Sequence, residues 1–299
     1  MTTVIFSMGQ HPWLSDLPEF WERGVYESKI FPDKERFLKV LTPVHGKHCL
    51  VFCNLVDPDP QMWAFLQLAA TLRDCGALSV GLVTPYLPYM RQDVAFTMGE
   101  AVSARYFARV LSDAVDWLVT VNPHLHRIQR LNEIFSIPTV VVSVADVVAE
   151  WVKNHVKNPV IVGPDEESAM LASAVAEAVG CDWFTLSKAR VSEREVKVSM
   201  LNTTLWEGRG AVVVDDIMST GETMRQAARA LVASSMAPPV CIGVHALLTA
   251  KDYQRLRDAD EVQSILSVDT VSHSSNQIRL GPDVWERVSE ITDSTLEFV

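Results

Sequence analysis

The stretch from Val212 to Met224, VVVDDIMSTGETM, contains the residues of this chain whose types and spacing most clearly suggest chemistry. Its three valines predict a short strand buried on both faces. Two carboxylates, Asp215 and Asp216, follow where that strand would leave the sheet. A helical pattern of apolar residues then covers Thr223–Ala233. We therefore expect a strand, a polar turn and a helix, with both acids at the carboxyl end of the strand.

The turn between this strand and this helix is suited to an anion. Its residues Ser219, Thr220 and Gly221 are small or carry hydroxyls, and the first turn of a helix presents unpaired N–H groups and a partial positive charge. The neighbouring acids repel phosphate, but they suit sugar hydroxyls or a bridging Mg²⁺. A phosphate and a polyol held side by side describe a ribose phosphate. The simpler interpretation is an ordinary α/β connection with Thr220 as the helix cap; the consecutive acids and the S-T-G-x-T order favour the ribose phosphate.

Three stretches of the first half carry side chains that could act on a nucleotide. The segment F-P-D-K-E offers an aromatic ring to stack on a base, followed by two acids that would share one face of an extended segment. Y-L-P-Y-M-R-Q-D holds an arginine able to fork onto phosphate, and the alternating histidines of N-P-H-L-H could ligate a metal or contact a polyphosphate. Taken singly, each has an ordinary alternative as a solvated turn, a solvated arginine or a structural histidine pair. The residues concerned are Phe31, Asp33, Glu35, Arg91, Gln92, His124 and His126.

Two stretches of the second half add candidates. Asp165, in P-D-E-E, follows an apolar strand and could hold Mg²⁺ or a sugar hydroxyl. Lys188 and Arg190 lie on a predicted loop and could neutralise charge on a transferred phosphoryl group. The alternative for these two cations is an exposed charged hairpin.

The whole chain has the composition of a globular protein. At 299 residues it fits one large or two ordinary domains, and its net charge of −11 argues against a nucleic-acid-binding surface. Five cysteines without C-x-x-C spacing predict reduced, mostly buried thiols. The first residues lack the pattern of a signal peptide, and no apolar run is long enough to span a bilayer. We expect a cytoplasmic protein that binds neither nucleic acid nor membrane.

Strand-like apolar runs alternate with helical patterns along the chain, which is typical of parallel α/β layers. Neither a P-loop nor a well-placed G-x-G-x-x-G occurs, and this counts against ordinary kinases and dehydrogenases. Two α/β units laid end to end, 1–144 and 145–299, fit the pattern, and the sequence leaves open that the last residues pack back on the first unit. The predicted strands are Val4–Phe6, Cys49–Leu55, Ser79–Thr84, Trp117–Val121, Thr139–Val142, Val160–Val162, Trp183–Leu186, Glu195–Val198, Ala211–Val214, Val240–Val244 and Ile265–Val268.

In this order, the motifs resemble those of the ribose-phosphate pyrophosphokinase (PRPP synthase) family, and the resemblance covers nearly the whole chain. V-V-V-D-D-I-M-S-T-G-E-T resembles the PRPP-binding motif, which type I phosphoribosyltransferases share. The F-P-D-x-E stretch resembles the family's adenine loop, and Y-x-P-Y-x-R-Q-D resembles its ATP-contacting stretch. N-P-H-L-H resembles the family's metal and ATP site, and P-D-E resembles its P-D-x-G stretch. L-S-K-A-R-V-S-E-R-E-V and the late D-T-V-S-H-S-S-N resemble the archaeal-type members.

The resemblance implies two tandem phosphoribosyltransferase-like (Rossmann-like) three-layer α/β/α domains with the active site between them. It implies transfer of the β,γ-diphosphoryl group of Mg-ATP to ribose 5-phosphate, with Mg²⁺ as cofactor, in a homodimer or higher homo-oligomer. The first domain would supply the ATP-contacting loops and the oligomer contacts, and the second the ribose 5-phosphate site. The implied roles are catalysis by Lys188 and Arg190; ATP binding by Phe31, Asp33, Glu35, Arg91, Gln92 and His124; ribose 5-phosphate binding by Asp215, Asp216, Ser219, Thr220, Gly221 and Thr223; and metal binding by His124 and Asp165.

Three residues depart from the family's pattern. Asn122 stands where the family usually has Asp, Glu167 replaces a small residue, and Glu222 replaces the second glycine of S-T-G-G-T. If Glu222 points inward, like-charge repulsion would weaken phosphate binding; if it points outward, the effect is small. These departures keep two alternatives open, a weakly active or non-catalytic regulatory homologue and a type I phosphoribosyltransferase.

Overall fold

We describe the protein from a computed structural model, which covers residues 3–186, 188–192, 195–198, 206 and 208–295. The chain divides into two compact units, Met1–Val142 together with Gly281–Val299, and Ser143–Leu280. The division at residue 142 lies close to the boundary predicted at 144. The last helix of the chain groups with the first unit.

The first unit is built on a parallel sheet. Its elements up to residue 142 are β1 (Thr3–Met8), β2 (Glu22–Arg23), β3 (Tyr26–Ile30), β4 (Arg36–Val40), β5 (His48–Cys53), α1 (Pro58–Asp74), β6 (Ser79–Thr84), α2 (Ser103–Ala114), β7 (Trp117–Val121) and β8 (Thr139–Val142). Among the described residues, six of these strands form a sheet in the order β2-β1-β5-β6-β7-β8. Helices α1 and α2 cover one face, where Phe65, Leu68 and Leu111 pack in the core.

The second unit repeats this plan. Its elements are α3 (Ala145–His155), β9 (Pro159–Gly163), α4 (Ala169–Val179), β10 (Trp183–Thr185), β11 (Lys188–Ser192), β12 (Glu195–Val198), β13 (Gly210–Met218), α5 (Glu222–Ala233), β14 (Val240–Ala246), α6 (Ala250–Arg257), β15 (Ser264–Val268) and β16 (Asn276–Ile278). Six of the described strands form a parallel sheet in the order β10-β9-β13-β14-β15-β16. Met224, Leu231 and Leu256 of α5 and α6 pack on one face.

The final helix, α7 (Gly281–Thr295), completes the first unit. Its Trp285 is 2% exposed and lies in an aromatic cluster with Trp21 and Phe52, at ring-centroid distances of 5.8 and 5.7 Å. The Trp285 indole Nε1–H donates to the carbonyl oxygen of Trp13 at 2.7 Å. Burial of such large rings supplies most of the hydrophobic stabilisation at a contact of this kind, so α7 belongs to the core of the first unit.

The predicted α/β class with parallel sheets is confirmed, and each predicted strand is present with small changes at its ends. The predicted strand Glu195–Val198 is present and pairs with β11 in a separate two-stranded ribbon. The short strands β2 and β16 and the hairpin β3–β4 were not predicted, because their residues show neither long apolar runs nor strict alternation. The five cysteines are free thiols, and Cys49, Cys53 and Cys241 are buried.

Candidate functional site

Asp215 and Asp216 lie within β13 rather than beyond its end, which corrects the prediction that the strand stops at Val214. β13 pairs with β9 only through Val213, but its pairing with β14 continues through Met218. Both acids are half buried, and the Asp216 backbone N–H donates to Asp215 Oδ1 at 3.0 Å. The acids therefore occupy the part of the strand where one edge has lost its neighbour.

This edge of β13 coincides with the point where the chain order of the sheet reverses. From β9, the chain continues to β10 on one side and later returns as β13 on the other side. In open parallel sheets, ligands bind at the carboxyl ends of the strands beside such a reversal, because the loops there diverge and leave a crevice. Asp165, which follows β9, and the two acids of β13 flank this point.

The turn after β13 requires glycine at residue 221. Gly221 has φ = +74° and is the N-cap of α5, and a Cβ there would lie 2.8 Å from Leu256 Cδ2. α5 begins at Glu222, one residue before the predicted start, and the Glu222 backbone N–H donates to Thr220 Oγ1 at 3.4 Å. Ser219, Thr220 and Thr223 thus surround the amino end of a three-turn helix, which is a favourable place for a phosphate.

The carboxylate of Glu222 is engaged on its outer side. Its Oε2 lies 3.0 Å from Arg255 Nη2 on α6, and its Oε1 accepts a hydrogen bond from the Gln226 side chain at 3.2 Å. Of the two orientations considered from the sequence, these contacts correspond to the outward one. The repulsion expected from an inward carboxylate is therefore reduced.

Asp165 organises the loop between β9 and α4. Its Oδ1 accepts hydrogen bonds from the backbone N–H groups of Glu167 at 3.1 Å and Ser168 at 3.3 Å, and the buried Ser168 hydroxyl donates to the Asp165 carbonyl oxygen at 2.7 Å. Gly163 permits this tight turn, since a Cβ there would lie 2.6 Å from Ser168 Oγ. Glu167, the second departure, is exposed.

In the first unit, Arg91 and Gln92 are exposed on the loop that leads from β6 to α2. Gln92 anchors this loop: its carbonyl oxygen accepts the Ala104 N–H at 3.2 Å, and its Oε1 accepts the Ser103 hydroxyl at the start of α2. Tyr89 adopts φ = +65° just before them. Gln92 therefore ties the loop to the start of α2, while Arg91 stays exposed.

An ion pair that was not predicted from the sequence joins this loop to the loop after β7. Asp93, which is 7% exposed, accepts hydrogen bonds from the Arg127 backbone N–H at 2.9 Å and from its Nη1 at 3.0 Å. Burial alone would raise the pKa of Asp93, but the hydrogen bonds and charge of Arg127 outweigh it and hold the pKa below its usual value. The sequence signal for this ion pair was an acid and an arginine in the two loops that follow the adjacent strands β6 and β7.

Asn122 and His124 lie in this second loop, directly after β7. Asn122 has φ = +31°, a region that Asn enters more readily than most residues, and its N–H donates to the Val142 carbonyl oxygen at 3.2 Å. His124 is half buried and His126 is exposed. Because β6 and β7 are parallel neighbours, the structure brings Arg91, Gln92 and His124 to one edge of the first sheet.

The F-P-D-K-E segment is the tip of the β3–β4 hairpin, which corrects the extended segment considered from the sequence and agrees with its alternative, a turn. The Phe31 N–H donates to the Glu35 carbonyl oxygen at 2.8 Å, and Asp33 Oδ1 accepts the Glu35 N–H at 3.1 Å. Phe31 is 42% exposed and packs edge-on against Phe37 with ring centroids 6.2 Å apart. The Lys29 ammonium nitrogen lies 5.6 Å from the centroid of the Phe31 ring.

Lys188 and Arg190 also lie on a hairpin. Their backbone belongs to β11, in register with Val198 and Val196 of β12. The predicted loop is therefore a two-stranded ribbon, placed in the chain between β10 and β13.

Magnesium prefers oxygen ligands and commonly binds one or two carboxylates together with substrate phosphates. The described part of the chain contains no group of three or more His, Cys, Asp and Glu side chains that could hold a metal ion. Asp165, Asp215 and Asp216 lie at one edge of the second sheet but do not form such a group, so a cation there would need substrate oxygens as further ligands. The imidazole of His124 is a less suitable donor to so hard an ion. In the described residues, no helix is long and apolar enough to cross a membrane.

Comparison with known proteins gives one consistent result. Residues 21–114 match the N-terminal domain of ribose phosphate pyrophosphokinase, and residues 131–280 match the phosphoribosyl transferase domain. The chain is 33% identical to the ribose-phosphate pyrophosphokinase of Methanothermobacter thermautotrophicus over 86% of its own length and 88% of that protein. It is 33% identical to the ribose-phosphate pyrophosphokinase of Methanopyrus kandleri over 91% of its own length and 92% of that protein. The crystal structure of phosphoribosylpyrophosphate synthetase from Mycobacterium smegmatis superposes with a TM-score of 0.84, 19% identity and coverage of 98% and 100% of the two chains.

Proposed function

The chain belongs to the ribose-phosphate pyrophosphokinase family, a family of diphosphotransferases, and we propose that it makes PRPP and AMP from Mg-ATP and D-ribose 5-phosphate. The observation that carries this proposal is the turn Ser219–Gly221 at the start of α5, next to half-buried acids on β13 at the reversal point of the sheet. This arrangement offers hydrogen-bond donors for a phosphate beside acceptors for sugar hydroxyls.

Ribose 5-phosphate would bind to the second unit. Its phosphate would accept hydrogen bonds from the hydroxyls and backbone N–H groups of Ser219, Thr220, Gly221 and Thr223 at the positive end of α5. Its ring hydroxyls would donate to the carboxylates of Asp215 and Asp216, because an ionised carboxylate only accepts. Successive residues of a strand face opposite sides, so the two acids would serve different hydroxyls.

ATP would bind through the first unit. Arg91 would contact the phosphates as an exposed guanidinium on an anchored loop, with Gln92 and His124 beside it at the same sheet edge. Phe31 would stack on the adenine ring, since its ring is accessible at the tip of the hairpin. Asp33 and Glu35, both exposed on the same tip, would accept hydrogen bonds from the base edge.

In the transfer, the anomeric oxygen forms a bond to the β-phosphorus of ATP. The bond from that phosphorus to the α,β-bridging oxygen breaks, its electron pair stays on AMP, and the hydroxyl proton is released to solvent. Lys188 and Arg190 would stabilise the negative charge that spreads over the transferred group. His124 and Asp165 are the residues we propose for holding Mg²⁺, which supplies further positive charge to the phosphates when bound.

Two other functions receive less support. A type I phosphoribosyltransferase would share only the second-unit motif, whereas residues 21–114 also match the pyrophosphokinase family. The support for a non-catalytic regulatory homologue is the three departures Asn122, Glu167 and Glu222. Glu222, however, is paired with Arg255, and Glu167 is exposed. Of the three departures, Asn122 is therefore the one that would most directly affect the proposed site.

The direct test is an assay of AMP release from ATP, with and without ribose 5-phosphate and Mg²⁺. We expect AMP and PRPP in equal amounts, and only when both are present. Production of ADP, or AMP release that does not depend on ribose 5-phosphate, would contradict the proposed reaction. PRPP consumption with a free base would instead support the phosphoribosyltransferase.

We further propose that the protein is a homo-oligomer in which Phe31 stacks on an adenine held mainly by a neighbouring chain. A mixture of Phe31→Ala and Asp216→Asn chains, each nearly inactive alone, should then regain part of the activity under conditions that exchange subunits. Some mixed sites would combine an intact hairpin with an intact ribose site. Proven exchange without regained activity would place Phe31 in its own chain's site or outside the site.

A further inference from the structure

The pair formed by Glu222 and Arg255 connects the phosphate turn to a helix that carries none of the predicted site residues. Glu222 is the first residue of α5, and Arg255 lies in the last turn of α6. The two side chains are 41% and 52% exposed, and Glu222 Oε2 lies 3.0 Å from Arg255 Nη2. Pairs this exposed contribute only about 0–1 kcal/mol to stability, so stability alone gives little reason for the pair.

The position of Glu222 suggests a different role. A carboxylate in the first turn of a helix interacts favourably with the helix dipole. The same positive helix end is what attracts a phosphate, and a dianionic phosphate bound there would be repelled by Glu222. Without a compensating cation, this residue would oppose the binding of ribose 5-phosphate.

α6 is placed so that it can supply that cation. Leu256, the residue after Arg255, packs so closely on the turn that a Cβ on Gly221 would lie 2.8 Å from its Cδ2. This contact fixes the end of α6 beside the turn and brings Arg255 to Glu222. The Gln226 side chain, 3.2 Å from Glu222 Oε1, holds the carboxylate from its other side.

Further charged side chains lie near the Glu222–Arg255 pair. Arg225 and Arg229 of α5 share one acid, Glu261, with Nε–Oε1 distances of 2.9 and 2.7 Å. Together with Glu222 and Arg255, three arginines face two glutamates, so this group of five side chains carries one net positive charge. Removal of Arg255 would leave this group of side chains without net charge.

We propose that Arg255 is a positioning and charge-compensating residue for the phosphate of ribose 5-phosphate, acting through Glu222. This inference rests on the proposed function, because it assumes that the sugar phosphate binds at the turn before α5. Arg255 would hold the Glu222 carboxylate away from the phosphate and cancel its charge.

The test is direct binding of ribose 5-phosphate, measured by titration calorimetry at low and high salt. Arg255→Ala should weaken binding about three- to tenfold at low salt, and the difference should shrink at high salt as screening increases. Glu222→Gln together with Arg255→Ala should restore binding to the wild-type level or better. ATP affinity and thermal stability should stay close to wild type in all variants.

Arg257→Ala is the matched control. Arg257 lies in the same last turn of α6 and is 55% exposed, but its acidic neighbour is Asp258 at 3.6 Å, so this change should leave binding unaltered.

If the wild type binds ribose 5-phosphate and Arg255→Ala binds it equally well, the inference is wrong while the proposed function stands. A double variant as weak as Arg255→Ala would also overturn it, since compensation of Glu222 would not be the reason. A wild type that binds no ribose 5-phosphate would refute the proposed function and this inference together.

Discussion

The two units of the chain share one order of strands but carry different side chains at the carboxyl edges of their sheets. In each, a first strand is followed by an edge strand, then by a two-stranded hairpin outside the sheet, and then by four more parallel strands. The hairpin is β3–β4 with the exposed Phe31 in the first unit, and β11–β12 with Lys188 and Arg190 in the second.

The loops of the two sheets differ in charge. The first unit presents Arg91 and His124 after β6 and β7, and the second presents Asp165, Asp215 and Asp216 beside β9 and on β13. A basic edge suits a polyphosphate, whereas acids beside a small turn suit a polyol that carries one phosphate. Under the proposed function, the strand order determines where each substrate binds, and the loop residues determine which substrate it is.

The largest expected effect comes from the second hairpin. Lys188→Ala should reduce turnover by about two or more powers of ten, with the affinities for both substrates largely kept, because the cation would act on charge that develops during transfer. Steady-state kinetics with direct binding measurements tests this. Lys197→Ala, on β12 in register with Ala189, serves as the control. Unchanged turnover in Lys188→Ala would remove this residue from catalysis.

Asp216→Asn should weaken the binding of one substrate and not the other, which would distinguish the carboxyl edge of the second sheet from that of the first. Hydrogen bonds to a charged group contribute roughly 1.5–3 kcal/mol, so ribose 5-phosphate binding should weaken about ten- to a hundredfold while ATP binding changes little. Calorimetry with each substrate measures both. Asp260→Asn, an exposed acid of the same unit, should change neither. Equal weakening for both substrates would indicate a shared metal site or misfolding instead.

Asp93→Asn tests the ion pair between the buried Asp93 and the exposed Arg127 in the first unit. The pKa of Asp93 is lowered in the fold, so its ionised form stabilises the protein above the unfolded pKa and that contribution is lost as pH falls through the folded pKa. At neutral pH the variant should lose about 1–3 kcal/mol of unfolding free energy, and the difference from wild type should diminish below about pH 4.

Denaturant unfolding at several pH values measures this difference. The exposed Asp113→Asn variant should match the wild type throughout. A deficit in Asp93→Asn that persists undiminished in acid would show that the ionisation of Asp93 is not what stabilises the loops.

The smallest effect is expected at Asn122. A carboxylate is a better ligand than an amide for a hard cation, so Asn122→Asp should lower the Mg²⁺ concentration needed for half-maximal activity. Asn158→Asp is a matched control, because Asn158 also has a positive φ, +47° against +31°, but precedes β9. An unchanged Mg²⁺ titration, or an equal change in both variants, would place Asn122 outside the metal's surroundings.

Local sequence patterns were enough to predict the α/β class, the positions of most strands and the turn Ser219–Gly221 before a helix. These features depend on neighbouring residues: runs of Val and Ile predict buried strands, and S-T-G-x-T before a helical pattern predicts a turn with hydroxyls at a helix start. The same local reasoning placed Asp165 and His124 after strands, and parallel pairing gathers such residues at the carboxyl edge of their own sheet.

Features that join distant segments depend on how the elements pack and had no signal in the local sequence. β13 continues through Asp215 and Asp216 because β14 pairs with it as far as Met218, which no local pattern could indicate. The Glu222–Arg255 and Asp93–Arg127 contacts, and the docking of Trp285 on Trp13 272 residues away, likewise depend on how helices and loops meet. A charged or aromatic residue has many possible partners in a sequence, and only the packing of the elements selects one.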